Sequence, residues 1–160
     1  MSEHTVGELA AIEDIRRLEA RYAYYADHKQ WEDLAGLFTK DGWFRPLDVD
    51  GNQISFMAGR DDIAGQLSSR MAGDVQPIHH LFTHEIEITS PTSARAVWAM
   101  ADLVVWSDGV APAVEQPGFS APPSRVMRGW GHYHVTYVNV RGQWLISTRI
   151  QTRTRLEVTA

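Results

Sequence analysis

Two short stretches hold the side chains best suited to acid–base chemistry. One is residues 21–31, which closes one amphipathic helix, opens another, and sets a phenol, Tyr22, and a carboxylate, Asp27, at the seam. The other is the pair His79-His80 in a strand-forming segment. A neutral imidazole removes protons near neutral pH because its pKa lies close to the operating point. A carboxylate bound to its far nitrogen fixes the tautomer and stabilises the imidazolium that forms. A tyrosine hydroxyl polarises a carbonyl or protonates a departing hydroxyl. Such parts suit the loss of water or another group β to an acidic C–H, or a double-bond shift, with no metal and no organic cofactor. Of the two histidines, His80 is expected to face Asp27. Strict alternation over residues 78–89 puts His80, Phe82, His84, Ile86 and Ile88 on one face, and a bulge would turn the choice to His79.

Each of these residues also has a plain structural reading. Asp27 stands three residues before Gln30 and just ahead of a helix, the spacing of a capping box. Tyr22 lies on the apolar face of its helix and could be core. Positions 22 and 27 differ by about 140° on an ideal helix, so a shared cavity must wrap the helix flank or meet a distorted last turn. His80 could be a satisfied core histidine. His132 and His134, at i and i+2, could ligate a metal with a third group, but no carboxylate stands near them in sequence. Trp43, Trp98, Met100 and Trp106 are core or pocket wall. Asp102 is more informative: among Trp98, Met100, Val104 and Trp106 a carboxylate is costly to bury alone. It faces a polar pocket, pairs with a cation, or sits on a bulge that turns it to water. Arg149 and Arg153 could pair with it or bind an anionic substrate.

The elements that must position these groups follow from periodicity. Leu9, Ile12, Ile15, Leu18 and Tyr22 recur at helical steps, predicting a helix from Gly7 to about Lys29. A short helix is expected over residues 31–38, a turn at 39–42, an edge hairpin over 43–58, and a third helix after Gly59. Its buried face would carry Ile63, Leu67 and Met71. From residue 78 onward the chain alternates in long strands over 78–89, 94–106, 125–140 and 143–158, with turns at 90–93 and at Arg141-Gly142. Residues 1–6 read as a loose arm and 107–123 as a long Pro-, Gly- and Ala-rich loop. Helices followed by consecutive strands argue an α+β fold in one domain spanning 1–160.

Composition narrows the function classes. The 160 residues carry a net charge of −5 and no basic block, so nucleic acid is not an expected partner. The absence of cysteine excludes disulfides, thiolate nucleophiles and cysteine metal sites. The first residues lack a basic and apolar leader, and no run approaches the length of a membrane span, so a cytoplasmic protein without membrane contact is expected. Six tryptophans, five tyrosines and five phenylalanines suit an aromatic-lined interior.

Several motifs in order extend this reading. They are Ile12-Glu13-Asp14-Ile15 followed by Arg21-Tyr22 and Asp27; Trp31-Glu32-Asp33-Leu34-Ala35-Gly36-Leu37-Phe38; Asp41-Gly42-Trp43; Gly59-Arg60-Asp61-Asp62-Ile63; His79-His80 with Ile86-Glu87-Ile88; and Gly142-Gln143-Trp144-Leu145-Ile146. Together they resemble the SnoaL-like branch of the nuclear-transport-factor-like, cystatin-like α+β cone superfamily. The resemblance implies a cone-shaped barrel, three N-terminal helices packed on a strongly curved, mostly antiparallel sheet. Within it the chain looks closest to enzymes of the scytalone dehydratase, bile-acid 7α-dehydratase and hexachlorocyclohexane dehydrochlorinase type, which use a His–Asp pair in a closed apolar cavity. That implies a cofactor-independent lyase or isomerase acting on a hydrophobic, oxygenated small molecule. Asp27, His80 and Tyr22 are its catalytic candidates; Trp43, His79, Trp98, Met100 and Asp102 are its pocket candidates. A non-catalytic subunit resembling the β subunits of ring-hydroxylating dioxygenases, or an aldol-type polyketide cyclase, are the alternatives. Outward apolar residues such as Val97, Leu103 and Val105 lead to the expectation of a homo-oligomer, dimer or trimer.

Overall fold

The computed structural model describes residues 5–107 and 124–159. The expected long loop at 107–123 lies almost wholly outside the described residues. Three helices come first, with a hairpin between the second and third: α1 (Val6–Asp27), α2 (Trp31–Gly36), β1 (Phe38–Pro46), β2 (Met57–Ala58) and α3 (Arg60–Arg70). A meander follows: β3 (Val75–Ser90), β4 (Ser93–Ser107), β5 (Ser124–Val140) and β6 (Gln143–Thr159). The six strands form one open, curved sheet in the order β2-β1-β6-β5-β4-β3. All neighbours are antiparallel except β1 and β6. The helices pack on one face, so the fold is the expected α+β arrangement of helices on a mostly antiparallel sheet.

Helix α1 begins one residue earlier than the periodicity predicts because Thr5 caps it. The Thr5 hydroxyl accepts the Glu8 N–H at 3.2 Å, and Glu8 Oε2 accepts the Thr5 N–H at 2.7 Å, a reciprocal capping box. Its buried stripe is Ile15, Leu18, Glu19, Tyr22 and Ala26. The helix stops at Asp27, and Lys29 takes a left-handed φ of 55° to redirect the chain into α2. That end is tied to the start of β3. Gln76 Nε2 donates to the Asp27 carbonyl at 2.8 Å, and Lys29 Nζ donates to the Gly73 carbonyl at 3.0 Å.

The hairpin region differs from expectation. Residues 39–42 are not a free turn; they lie inside β1, where the register on β6 shifts between Phe38 and Trp43. The return strand shrinks to β2, with Leu47 and Gln53 forming an isolated bridge. The tight turn at Arg141-Gly142 is as expected. Both residues have positive φ, 54° and 85°, as a two-residue hairpin loop demands.

One irregularity in β3 decides the site. Leu81 pairs with Met100, but His84 pairs with Trp98, so one extra residue sits between them on β3. A bulge of this kind reverses which side chains face inward. Beyond it, His84, Ile86 and Ile88 are on the helix side, with His84 stacked 4.5 Å from the Trp98 ring. Before it, Val75, Pro77, His79 and Leu81 face inward, while His80 and Phe82 are exposed.

Candidate functional site

Inside the curve of the sheet, under α1, α2 and α3, lies a cavity of about 160 Å³. Its apolar wall includes Trp31, Leu34, Phe44, Met57, Leu67 and Met127. Its polar wall is Tyr22, His79, Asp102, Tyr133, Gln151 and Arg153.

Asp27 projects from the last residue of α1 to the inner face of β3. Its Oδ1 accepts the His79 backbone N–H at 2.8 Å and meets His79 Nδ1 at 2.9 Å. An ionised carboxylate only accepts, so Nδ1 carries the proton and Nε2 is left as the basic nitrogen. Nε2 has no partner among the described residues, and the ring is largely buried, with 15% of the side chain exposed. Gln30, at the N-cap of α2, makes no capping bond with its side chain, so Asp27 looks to the strand and not forward to a capping box. The angular offset between positions 22 and 27 is met as the helix geometry requires. Tyr22 and Ala26 line the cavity along the helix flank, and Asp27 reaches β3 from the end.

The structure therefore brings His79, not His80, to Asp27. The alternation that favours His80 is broken by the bulge, and His80 lies on the outer face. Of the pocket candidates, His79 and Asp102 line the cavity. Trp98 and Met100 are buried beside it without lining it. Trp43 points to the opposite side of β1, because its neighbour Phe44 is the inward residue; Trp43 packs instead on Phe56, ring centroids 5.6 Å apart.

Asp102 is directly opposite His79 on β4. It forms a bidentate ion pair with Arg153 of β6, two strands away, with Arg153 Nη2 to Asp102 Oδ2 at 2.7 Å. The pair crosses β5 where that strand has Gly129 and Gly131. A Cβ on Gly129 would collide with the Arg153 guanidinium and the Asp102 carboxylate; one on Gly131 would collide with the Thr152 carbonyl. Two glycines in one strand thus open the path for the ion pair and for close approach of β6.

Behind the cavity is a second polar cluster, in which Arg149 pairs with Glu19, a partner the sequence reading did not name, and not with Asp102. Glu19 and Arg149 are fully buried and joined by two bonds of 3.0 Å. The Tyr137 hydroxyl donates to Glu19 Oε1 at 2.7 Å and accepts the Trp98 Nε1–H at 2.9 Å. The Arg149 guanidinium lies between two tyrosine rings, its Cζ 3.6 Å from the Tyr22 centroid and 3.9 Å from that of Tyr133. Burial pushes the phenols of Tyr22, Tyr133 and Tyr137 above their usual range. For Arg149, burial works to lower the pKa, but Glu19 and the two phenols more than offset it, so the guanidinium stays charged. The signals were present: Glu19 interrupts an apolar helical stripe, and Tyr133, Val135 and Tyr137 alternate on β5.

No group of three or more potential metal ligands occurs among the described residues; His132 and His134 lie on the outer face of β5. No described helix is long and apolar enough to cross a membrane.

A protein named as a probable cyclase from Gibberella zeae is 27% identical over 148 residues, covering 88% of each chain. A crystal structure provisionally named a scytalone dehydratase, from Novosphingobium aromaticivorans, superposes with a TM-score of 0.74 at 22% identity, covering 98% of this chain and 93% of that one. A hexachlorocyclohexane dehydrochlorinase from Novosphingobium barchaimii superposes with a TM-score of 0.72 at 16% identity, covering 97% and 94%. Likeness at these identities speaks for the fold. The SnoaL-like domain matches residues 7–150, nearly the whole chain, and with that match the chain belongs to the SnoaL-like family.

Proposed function

We propose that the protein is a lyase or isomerase, acting by elimination of the dehydratase type on a hydrophobic, oxygenated small molecule, with His79 as base, Asp27 orienting it and Tyr22 as hydrogen-bond donor. The observation that carries this reading is the bond from His79 Nδ1 to the Asp27 carboxylate, which leaves Nε2 of a cavity-lining ring as a proton acceptor. In a dehydration, Nε2 takes the proton, the C–H electron pair becomes the new double bond, and the β-hydroxyl leaves as water with a proton returned from the imidazolium or supplied by Tyr22. The residues need no cofactor for this. An aldol-type cyclisation uses the same first step, and the similarity to a probable cyclase favours it as the second reading. The two are told apart by product: an alkene with release of water, or a new ring.

The test is a screen of β-hydroxy carbonyl compounds, following the conjugated product by absorbance. His79→Gln is expected to lower the rate about 10²–10⁴-fold, while His80→Gln leaves it near wild type. An inactive His80→Gln beside an active His79→Gln would reverse the assignment. Ligand binding with no turnover across the screen would favour an accessory binding subunit instead.

We further propose that the chain assembles as a dimer or trimer through the outer sheet face. There Val97 is exposed within a concavity of about 420 Å³ that also involves Glu87, Arg95, His134 and Ile150. A monomer in light scattering at micromolar concentration would sink this.

A further inference from the structure

Tyr22 and Tyr133 are 3% and 1% exposed, yet neither hydroxyl has a hydrogen-bond partner among the described residues. The phenols are not sealed in the core: both residues line the cavity, so what can accept a hydrogen bond from them is a molecule inside it. The contrast within the same cluster is direct: the equally buried Tyr137 hydroxyl is bonded on both sides. Both unbonded phenols line the cavity that His79 lines. Their rings meet edge to face, 6.0 Å between centroids, and both are held against the Arg149 guanidinium, which Glu19 in turn fixes. The two donors are therefore held in place, and the cation over both ring faces offsets part of the rise in their pKa that burial causes.

We propose that Tyr133, with Tyr22, donates hydrogen bonds to one oxygen of the substrate, and that the substrate is a carbonyl compound whose oxygen gains negative charge as the neighbouring C–H proton leaves. This rests on the reading of His79 as base. Nε2 takes the proton, the C–H pair forms the C=C bond, and the carbonyl π pair moves onto oxygen, where two O–H donors hold it; nothing is oxidised or reduced. Donors set in advance at the atom where charge develops are among the strongest contributions a site makes. Glu19 and Arg149 are positioning residues for the pair.

The probe is 4-nitrophenol, whose oxygen resembles an enolate when ionised and whose neutral and ionised forms absorb at different wavelengths. The unmodified protein is expected to bind the ionised form preferentially, lowering the apparent pKa of the bound phenol. Tyr133→Phe and Tyr22→Phe keep the ring on Arg149 and remove only the hydroxyl. Each is expected to weaken binding about tenfold and to raise the bound phenol's pKa, with the melting temperature unchanged or higher, since an unbonded buried hydroxyl does not stabilise the fold. Unchanged affinity in Tyr133→Phe would overturn the proposal. So would failure of the unmodified protein to bind 4-nitrophenol, or a marked loss of stability in Tyr133→Phe, which would show that the hydroxyl is bonded within the fold. No turnover is involved, so the two readings fail separately. If His79→Gln abolishes turnover while Tyr133→Phe binds normally, the base assignment stands and this one does not.

Discussion

Asp27 engages His79 twice, through the backbone N–H and through the ring, so one carboxylate sets both the strand position and the tautomer. Asparagine at 27 retains an oxygen for those bonds but loses the charge that, in the proposed reaction, stabilises the imidazolium. Asp27→Asn is therefore expected to reduce the catalytic rate by orders of magnitude while leaving the fold intact, a split read by steady-state kinetics beside circular dichroism. Glu19 and Arg149 behave differently, because neither touches solvent. Arg149→Met would leave the Glu19 carboxylate buried without its cation. The expected loss is about 3–5 kcal/mol of stability in urea unfolding. The double variant Glu19→Gln, Arg149→Met should recover part of it, since the uncompensated charge is then gone.

At the scale of elements, β5 and β3 do the positioning. Gly131 allows β6 to approach through Thr152, a backbone contact that cannot yield easily, whereas Gly129 makes room only for the ends of Arg153 and Asp102. Gly131→Ala is accordingly expected to destabilise by about 1–3 kcal/mol or more, as overpacking does. Gly129→Ala should have the smaller effect on thermal unfolding while displacing the ion pair and altering ligand affinity. Equal losses of stability in the two variants would contradict this distinction. In β3 the extra residue between Leu81 and His84 allows one strand to place His79 in the cavity and Ile86 and Ile88 under α1. The end of α1 is held to the same strand by Gln76 and Lys29, so Asp27 and His79 are positioned by a shared set of bonds.

For the molecule as a whole, the buried phenols predict the alkaline limit of stability. Tyr22, Tyr133 and Tyr137 have pKa values raised by burial above the 10.0 of a free phenol. Above about pH 10 the unfolded chain releases these protons while the folded chain keeps them. The folded state then binds more protons than the unfolded, so stability falls as pH rises. Their contribution is complete below pH 10 and is lost as pH climbs through the folded-state values. Chemical denaturation between pH 8 and 11 should show a midpoint that is flat and then drops. A flat midpoint throughout would mean that the phenols titrate freely in the folded protein.

The sequence by itself determined the element order, the α+β class, the apolar stripe of α1 and the stretch from which Asp27 and Tyr22 come. These follow from periodicity and turn chemistry, which are local. It also confined the partner of Asp27 to two adjacent histidines. Only the tertiary structure decided between them, because the choice rests on a bulge, and one extra residue in a strand changes no composition or propensity while exchanging its two faces. The pairing of Asp102 with Arg153 and of Glu19 with Arg149, and the Arg149 plane between Tyr22 and Tyr133, were likewise beyond local reading. They join residues 51 and 130 positions apart, and are set by strand register and by the glycines of β5.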